Sequence, residues 1–137
     1  MDYLGLLRLD GRVAVVTGAG AGIGRAAAHA LAQAGATVAV TDLDEAAARR
    51  VAGEIGPASE AHRLDVAEEA QVRAVLAEVA RRHGRVDVLV NNAGIGARVP
   101  TAELPADRWE RALAVGPTGS FLRARGRAAH AEGGARS

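Results

Sequence analysis

Thr17-Gly18-Ala19-Gly20-Ala21-Gly22-Ile23-Gly24 lies between an apolar run at residues 13–16 and an Ala-rich segment in which Ile23, Ala27, Ala30, Leu31 and Ala34 recur at helical spacing. A strand that ends in glycines and passes straight into a helix leaves the first amides of that helix without backbone partners. Those amides form a cradle for a pyrophosphate. Glycine is needed because a side chain would hold a diphosphate away from the backbone and resist turns of positive φ. The stretch fails G-x-G-x-x-G in every register, with Ile23 or Arg25 where the third glycine would fall, but it satisfies T-G-x-x-x-G-I-G.

The chain around this stretch alternates between two periodicities. Residues 37–41 read as a second buried strand and residues 59–64 as a weaker third. Residues 86–90 form a fourth. Between them, Asp44 caps a helix bearing Ala48, Val51, Ala52 and Ile55, which Gly56-Pro57 stops. Val72, Val75, Leu76, Val79 and Ala80 match the i, i+3, i+4, i+7, i+8 template of an amphipathic helix, with Arg81, Arg82 and His83 in its last turn and Gly84 ending it. Strands alternating with helices at short spacing give right-handed βαβ units and a parallel sheet. The expected architecture is a doubly wound α/β domain over residues 1–115, with four strands in the order 3-2-1-4. Residues 116–137, rich in Arg, Ala and Gly, are expected to be irregular.

Composition narrows the function. Across 137 residues the formal net charge is +1 and hydrophobic residues make up 49%, so neither a disordered chain nor a nucleic-acid polyelectrolyte is indicated. No run approaches the length of a membrane span and no targeting signal stands out, so a cytoplasmic protein without a membrane or nucleic-acid partner is expected. The chain has no Cys, which excludes disulfide and thiolate chemistry. All 17 basic residues are Arg; there is no Lys.

Three further features sit at the ends of strands two, three and four. Asp42 is placed where a carboxylate accepts both hydroxyls of an adenosine ribose and repels a 2′-phosphate, which selects NAD over NADP. Ala21 adds no positive charge for such a phosphate. Asp65-Val66 offers a carboxylate for an adenine amine and an aliphatic side chain for its ring. Asn91-Asn92-Ala93-Gly94 offers amides that bridge neighbouring strand ends, with small residues leaving room for a ribose.

Together these features resemble the short-chain dehydrogenase/reductase family over about residues 7–115. The resemblance implies that Gly18, Ala21, Gly22, Ile23, Gly24, Asp42, Asp65, Val66, Asn92, Ala93 and Gly94 bind the cofactor, NAD. It also implies hydride transfer between nicotinamide and an alcohol or ketone. Leu9-Asp10-Gly11-Arg12 is similar to the opening of members that act on polyols and sugars. The family's V-N-L-x-G-x-F-L phrase reads here Val115-Gly116-Pro117-Thr118-Gly119-Ser120-Phe121-Leu122, with Gly116 in place of the active-site Asn. Its proton-transfer chemistry needs a Tyr, a Lys four residues later that lowers the phenol pKa, and an upstream Ser. With no Lys, a lone Tyr at position 3, and Ser120 and Ser137 without such partners, no catalytic residue is assigned and the chain is expected to be catalytically incompetent.

Two readings from other classes stand beside this one. The chain is a non-catalytic nucleotide-binding or interaction module that self-associates through the apolar fourth-strand edge, or the sequence after Val115 is a frameshifted remnant. A methyltransferase on a similar glycine-turn sheet is a further competitor. His29, His62, His83 and His130 show no metal-ligand spacing and are expected at helix surfaces or caps; Trp109, on a helix at residues 107–115, is expected to be a packing anchor, and Leu4, Leu6, Leu7 and Leu9 are expected to cover a core edge.

Overall fold

The computed structural model describes residues 1–94 and 101–118. In chain order the elements are α1 (Tyr3–Leu6), β1 (Val13–Thr17), α2 (Gly22–Gln33), β2 (Thr37–Asp42), α3 (Glu45–Ile55), β3 (Ser59–Arg63), α4 (Glu69–His83) and β4 (Val88–Val90). A 3-10 turn (Thr101–Glu103), α5 (Ala106–Leu113) and a π turn (Ala114–Thr118) follow. Ser120, Phe121, Leu122, His130 and Ser137, with most of the expected tail, lie outside the described residues.

The four strands form one parallel sheet in the order β3-β2-β1-β4. β1 is central, pairing Val13 to Thr17 with Thr37 to Thr41, and Ala14 to Val16 with Val88 to Val90. Because alternate side chains of a strand face opposite ways, β1 feeds two cores. Val13 and Val15 join Val72, Val75, Leu76 and Val79 of α4 on one face. Ala14 and Val16 join Ala28 of α2 and Ala48 and Val51 of α3 on the other. Helices on both faces make the sheet doubly wound, and every residue of the α4 template packs where its spacing requires.

The boundaries differ in instructive ways. β4 is three residues long rather than five: Val86 is buried, but Asp87 lends its carboxylate to the Val13 amide at 2.8 Å while its own amide donates to the Val13 carbonyl at 2.9 Å, so pairing is partly by side chain before the ladder begins. The helical winding does not stop at Gly116-Pro117 but continues to Thr118 as a π turn.

Several packing expectations are corrected. Among the described residues Leu4, Leu6 and Leu7 are exposed on and just after the single short turn of α1, and of the four only Leu9 packs partly on a core. Trp109 is 56% exposed among the described residues and anchors nothing there. In α2, Ile23 and Ala30 face solvent, and Gly24, Ala27, Ala28 and Leu31 supply the sheet-facing side, since the helix must approach through its smallest residues. Among the described residues no helix is long and apolar enough to cross a membrane.

Candidate functional site

The parallel strands all end at the same edge of the sheet, so the loops after β1, β2, β3 and β4 converge there. Gly18, Asp42, Leu43, Leu64, Asp65, Val66, Asn92, Ala93, Gly94, Arg111 and Val115 line one open cleft of about 310 Å³. Residues widely separated in sequence, Gly18, Asp42, Asp65-Val66 and Asn92 to Gly94, are thereby brought together.

The glycine loop is held rigidly on its protein side. The Ala19 amide donates to the Thr41 carbonyl at 2.9 Å, and the Gly20 amide donates to Asp42 Oδ2 at 2.9 Å. Gly18 and Gly22 both take positive φ, at 64° and 58°. Gly24 is required by proximity instead: a Cβ there would stand 2.3 Å from the Gly18 carbonyl oxygen and 2.5 Å from Asn92 Nδ2. On the open side the situation reverses. Ala21 is the N-cap of α2 and offers no side-chain hydrogen bond, and Ala21, Gly22 and Ile23 are exposed. Among the described residues the first turn is therefore uncapped by any side chain and Gly22 and Ile23 are exposed, with nothing within 4 Å of where a Gly22 side chain would begin; Gly24 is buried, and of the glycine turn only Gly18 lines the cleft itself. An anion fits this cradle.

Asp42 closes the second side. Its Oδ1 accepts the Asp44 amide at 2.9 Å, so the carboxylate is fixed by one backbone donor on each oxygen while still lining the cleft. Asp44, not Asp42, caps α3, accepting from the Ala47 amide at 3.1 Å. Asp65 is fixed in the same manner, by the Ala67 amide on Oδ1 and by Arg111 Nη2 on Oδ2, each at 3.0 Å. Burial pushes the Asp65 carboxyl up, but the Ala67 N–H, Arg111 and Arg63 outweigh it and hold the group below its ordinary range. After β4, Asn92 bridges strand ends, with Nδ2 donating to the carbonyls of Thr17 and Gly18 at 3.2 and 3.1 Å.

The cleft also contains residues that sequence reasoning missed. Leu43 and Leu64 flank Asp42 and Asp65 and were within reach of it as neighbours of the chosen acids. Arg111 reaches Asp65 across 46 positions from α5, for which no local pattern gives a signal. Val115 forms part of the floor from the π turn. Elsewhere, His62 of β3 and His83 of α4 converge on Glu60, at 2.8 and 2.9 Å, instead of occupying separate surfaces.

Residues 12–135 match the family described as short chain dehydrogenase. The chain belongs to the short-chain dehydrogenase family. It is 45% identical over 118 residues to the D-threitol dehydrogenase of Mycolicibacterium smegmatis, covering 84% of this chain and 45% of that one. In structure it resembles the 3-ketoacyl-(acyl-carrier-protein) reductase of Brucella melitensis complexed with NADH, with a TM-score of 0.83 and 42% identity over 85% of this chain and 48% of that one. It also resembles the gluconate 5-dehydrogenase of Burkholderia cenocepacia in complex with NADP and tartrate, with a TM-score of 0.84 and 42% identity over 93% and 51% of the two chains. The short-chain dehydrogenase chain thus spans about half the length of the curated relatives it matches. Solved relatives hold nicotinamide dinucleotides of both kinds, with and without a 2′-phosphate.

Proposed function

We propose that residues 1–115 are the NAD-binding unit of a short-chain dehydrogenase acting on an alcohol or ketone, with a polyol as the favoured substrate class. The observation that carries this reading is the position of Asp42: a carboxylate fixed on both oxygens, at the mouth of the cleft, one residue contact away from the open glycine turn. The uncapped amides of Gly22, Ile23 and Gly24, with Gly18 and Ala21 beside them, receive the diphosphate. Asp42 accepts the ribose hydroxyls and repels a 2′-phosphate. Asp65 and Val66 meet the adenine, and Asn92, Ala93 and Gly94 leave room for the second ribose. When bound, the nicotinamide supplies the hydride acceptor or donor.

The polyol assignment leans on the likeness to the D-threitol dehydrogenase. The 137 residues contain no Lys to lower a phenol's pKa, and we infer that they bind the dinucleotide without turning over a polyol. A thermal-shift comparison tests the binding: NAD raises Tm, NADP raises it far less, and S-adenosylmethionine not at all. Equal shifts with NAD and NADP would overturn the selectivity, and enzyme-like reduction of NAD by the chain with a polyol panel would overturn the incompetence.

A second reading, an interaction module, is favoured by β4. It is an edge strand of the described sheet, with Val88, Leu89 and Val90 only half-buried. An apolar edge with open backbone groups pairs readily with another chain. Self-association at rising concentration supports this reading, and a clean monomer by size exclusion contradicts it.

A further inference from the structure

Arg50 is held differently from most arginines of this chain. The majority of those described meet a carboxylate, as Arg25 meets Glu54 and Arg111 meets Asp65. Arg50, on α3, instead sends Nη2 to the carbonyl oxygen of Gly20 at 3.1 Å, and among the described residues no carboxylate pairs with it. A guanidinium carries five N–H donors in a planar fork suited to phosphate, so most of its capacity is unspent. Gly20 is also the residue whose amide donates to Asp42 Oδ2. An anion and a cation therefore grip the two polar groups of one residue in the glycine loop. The fit is close: a Cβ on Gly20 would stand 2.7 Å from Ala47 Cβ and 2.8 Å from Asp42 Oδ2.

We propose that Arg50 is a second specificity-determining residue at the adenosine ribose, one that would receive a 2′-phosphate were Asp42 not beside it. The inference rests on the reading that Asp42 takes the ribose hydroxyls. A phosphate on the 2′ oxygen would bring up to two negative charges beside Gly20, whose amide donates to Asp42 and whose carbonyl accepts from Arg50. Asp42 repels it and Arg50 attracts it, and the carboxylate, which would contact the sugar directly, decides for NAD. Neither Ala21 nor Leu43 adds a cation at the rim, and the chain has no Lys to do so. Removing one negative charge at Asp42 thus converts this site from selective against NADP to selective for it, through Arg50.

The test titrates NAD and NADP calorimetrically into the full 137-residue chain, the D42N variant, and the D42N/R50Q and D42N/R50K double variants. D42N raises the affinity for NADP relative to NAD by about tenfold or more, D42N/R50Q loses most of that gain, and D42N/R50K keeps most of it. The gain also shrinks as salt rises from about 0.05 to 0.5 M, as a charge-charge contact near solvent requires. A role for Arg50 confined to bracing Gly20 would weaken both dinucleotides alike and leave the ratio unmoved. A D42N/R50Q chain that prefers NADP as strongly as D42N overturns the inference, as does a D42N chain that binds NAD with no gain for NADP. Failure of every chain, wild type included, to bind NAD overturns the dinucleotide reading itself, and the role of Arg50 with it.

Discussion

Thr17 and Asn92 lock each other across the ends of β1 and β4. Thr17 Oγ1 accepts the amides of Asn92 and Ala93, both at 3.1 Å, and donates to the Val90 carbonyl at 3.3 Å, while Asn92 Nδ2 returns to the Thr17 carbonyl at 3.2 Å. Thr17 is fully buried. The Thr17→Val variant keeps the shape but takes the acceptor from the Ala93 amide and one of two partners from the Asn92 amide, which still donates to the Val90 carbonyl at 3.1 Å, so it should lose roughly 1–3 kcal/mol of stability. Chemical denaturation of wild type, T17V, N92A and the double variant checks it; additive losses would show that the two residues act independently.

The glycine turn separates two kinds of glycine. Gly24→Ala places a methyl 2.3 Å from a backbone oxygen that cannot swing away, and we expect a loss of about 1–3 kcal/mol together with weakened dinucleotide binding. Gly53 is an exposed glycine within α3, with nothing within 4 Å of its would-be side chain. There Gly→Ala should stabilise by about 0.5–1 kcal/mol. Thermal unfolding of both variants reads the contrast.

Asp87 ties β4 to β1 and sets an acid limit on the fold. Burial pushes its carboxyl up, but Arg85, the Val13 amide and Arg12 outweigh this and hold it at about 2. A carboxyl depressed in the folded state adds stability that is fully present above its unfolded pKa, near 4, and is lost as pH falls through the folded value. Asp87→Asn should therefore cost roughly 1–2 kcal/mol at neutral pH, and the difference from wild type should close between pH 4 and about 2. A pH-independent difference would contradict this origin.

Arg111, 3.0 Å from Asp65 Oδ2, contributes to the depressed titration of that carboxyl. Removing it in Arg111→Ala should move the Asp65 carboxyl upward, read directly by carbon NMR of the side-chain carboxyl. An unmoved titration would show that the Ala67 amide suffices.

The fold was legible in the sequence wherever a local pattern carries global information. The apolar run at 13–16 and the Val38-Ala39-Val40 centre of 37–41 mark strands buried on both faces, and α4 could be read from five residues because its apolar side rests on the sheet. The cleft acids were legible for a related reason: parallel strands all deliver their last residues to one edge. What escaped reading depends on distance or on end effects. Arg111 meets Asp65 from 46 positions away in the chain, a distance over which no local pattern carries a signal. Leu4, Leu6 and Leu7 look like core because their composition is apolar, yet on a single helical turn they stand exposed among the described residues. Trp109 was misjudged on the same ground, since bulk alone does not say which side of a helix meets the protein.

The most direct test of a diphosphate on the first turn of α2 is an NMR titration of the isotopically labelled chain with NAD, following individual amides. The expected result is saturable movement of the Gly22, Ile23 and Gly24 amides, with smaller changes at Asp42 and Gly20 and none at Gly53. Saturable binding that leaves the α2 amides unmoved, or no binding at millimolar NAD, would contradict the assignment of this turn as the cofactor cradle.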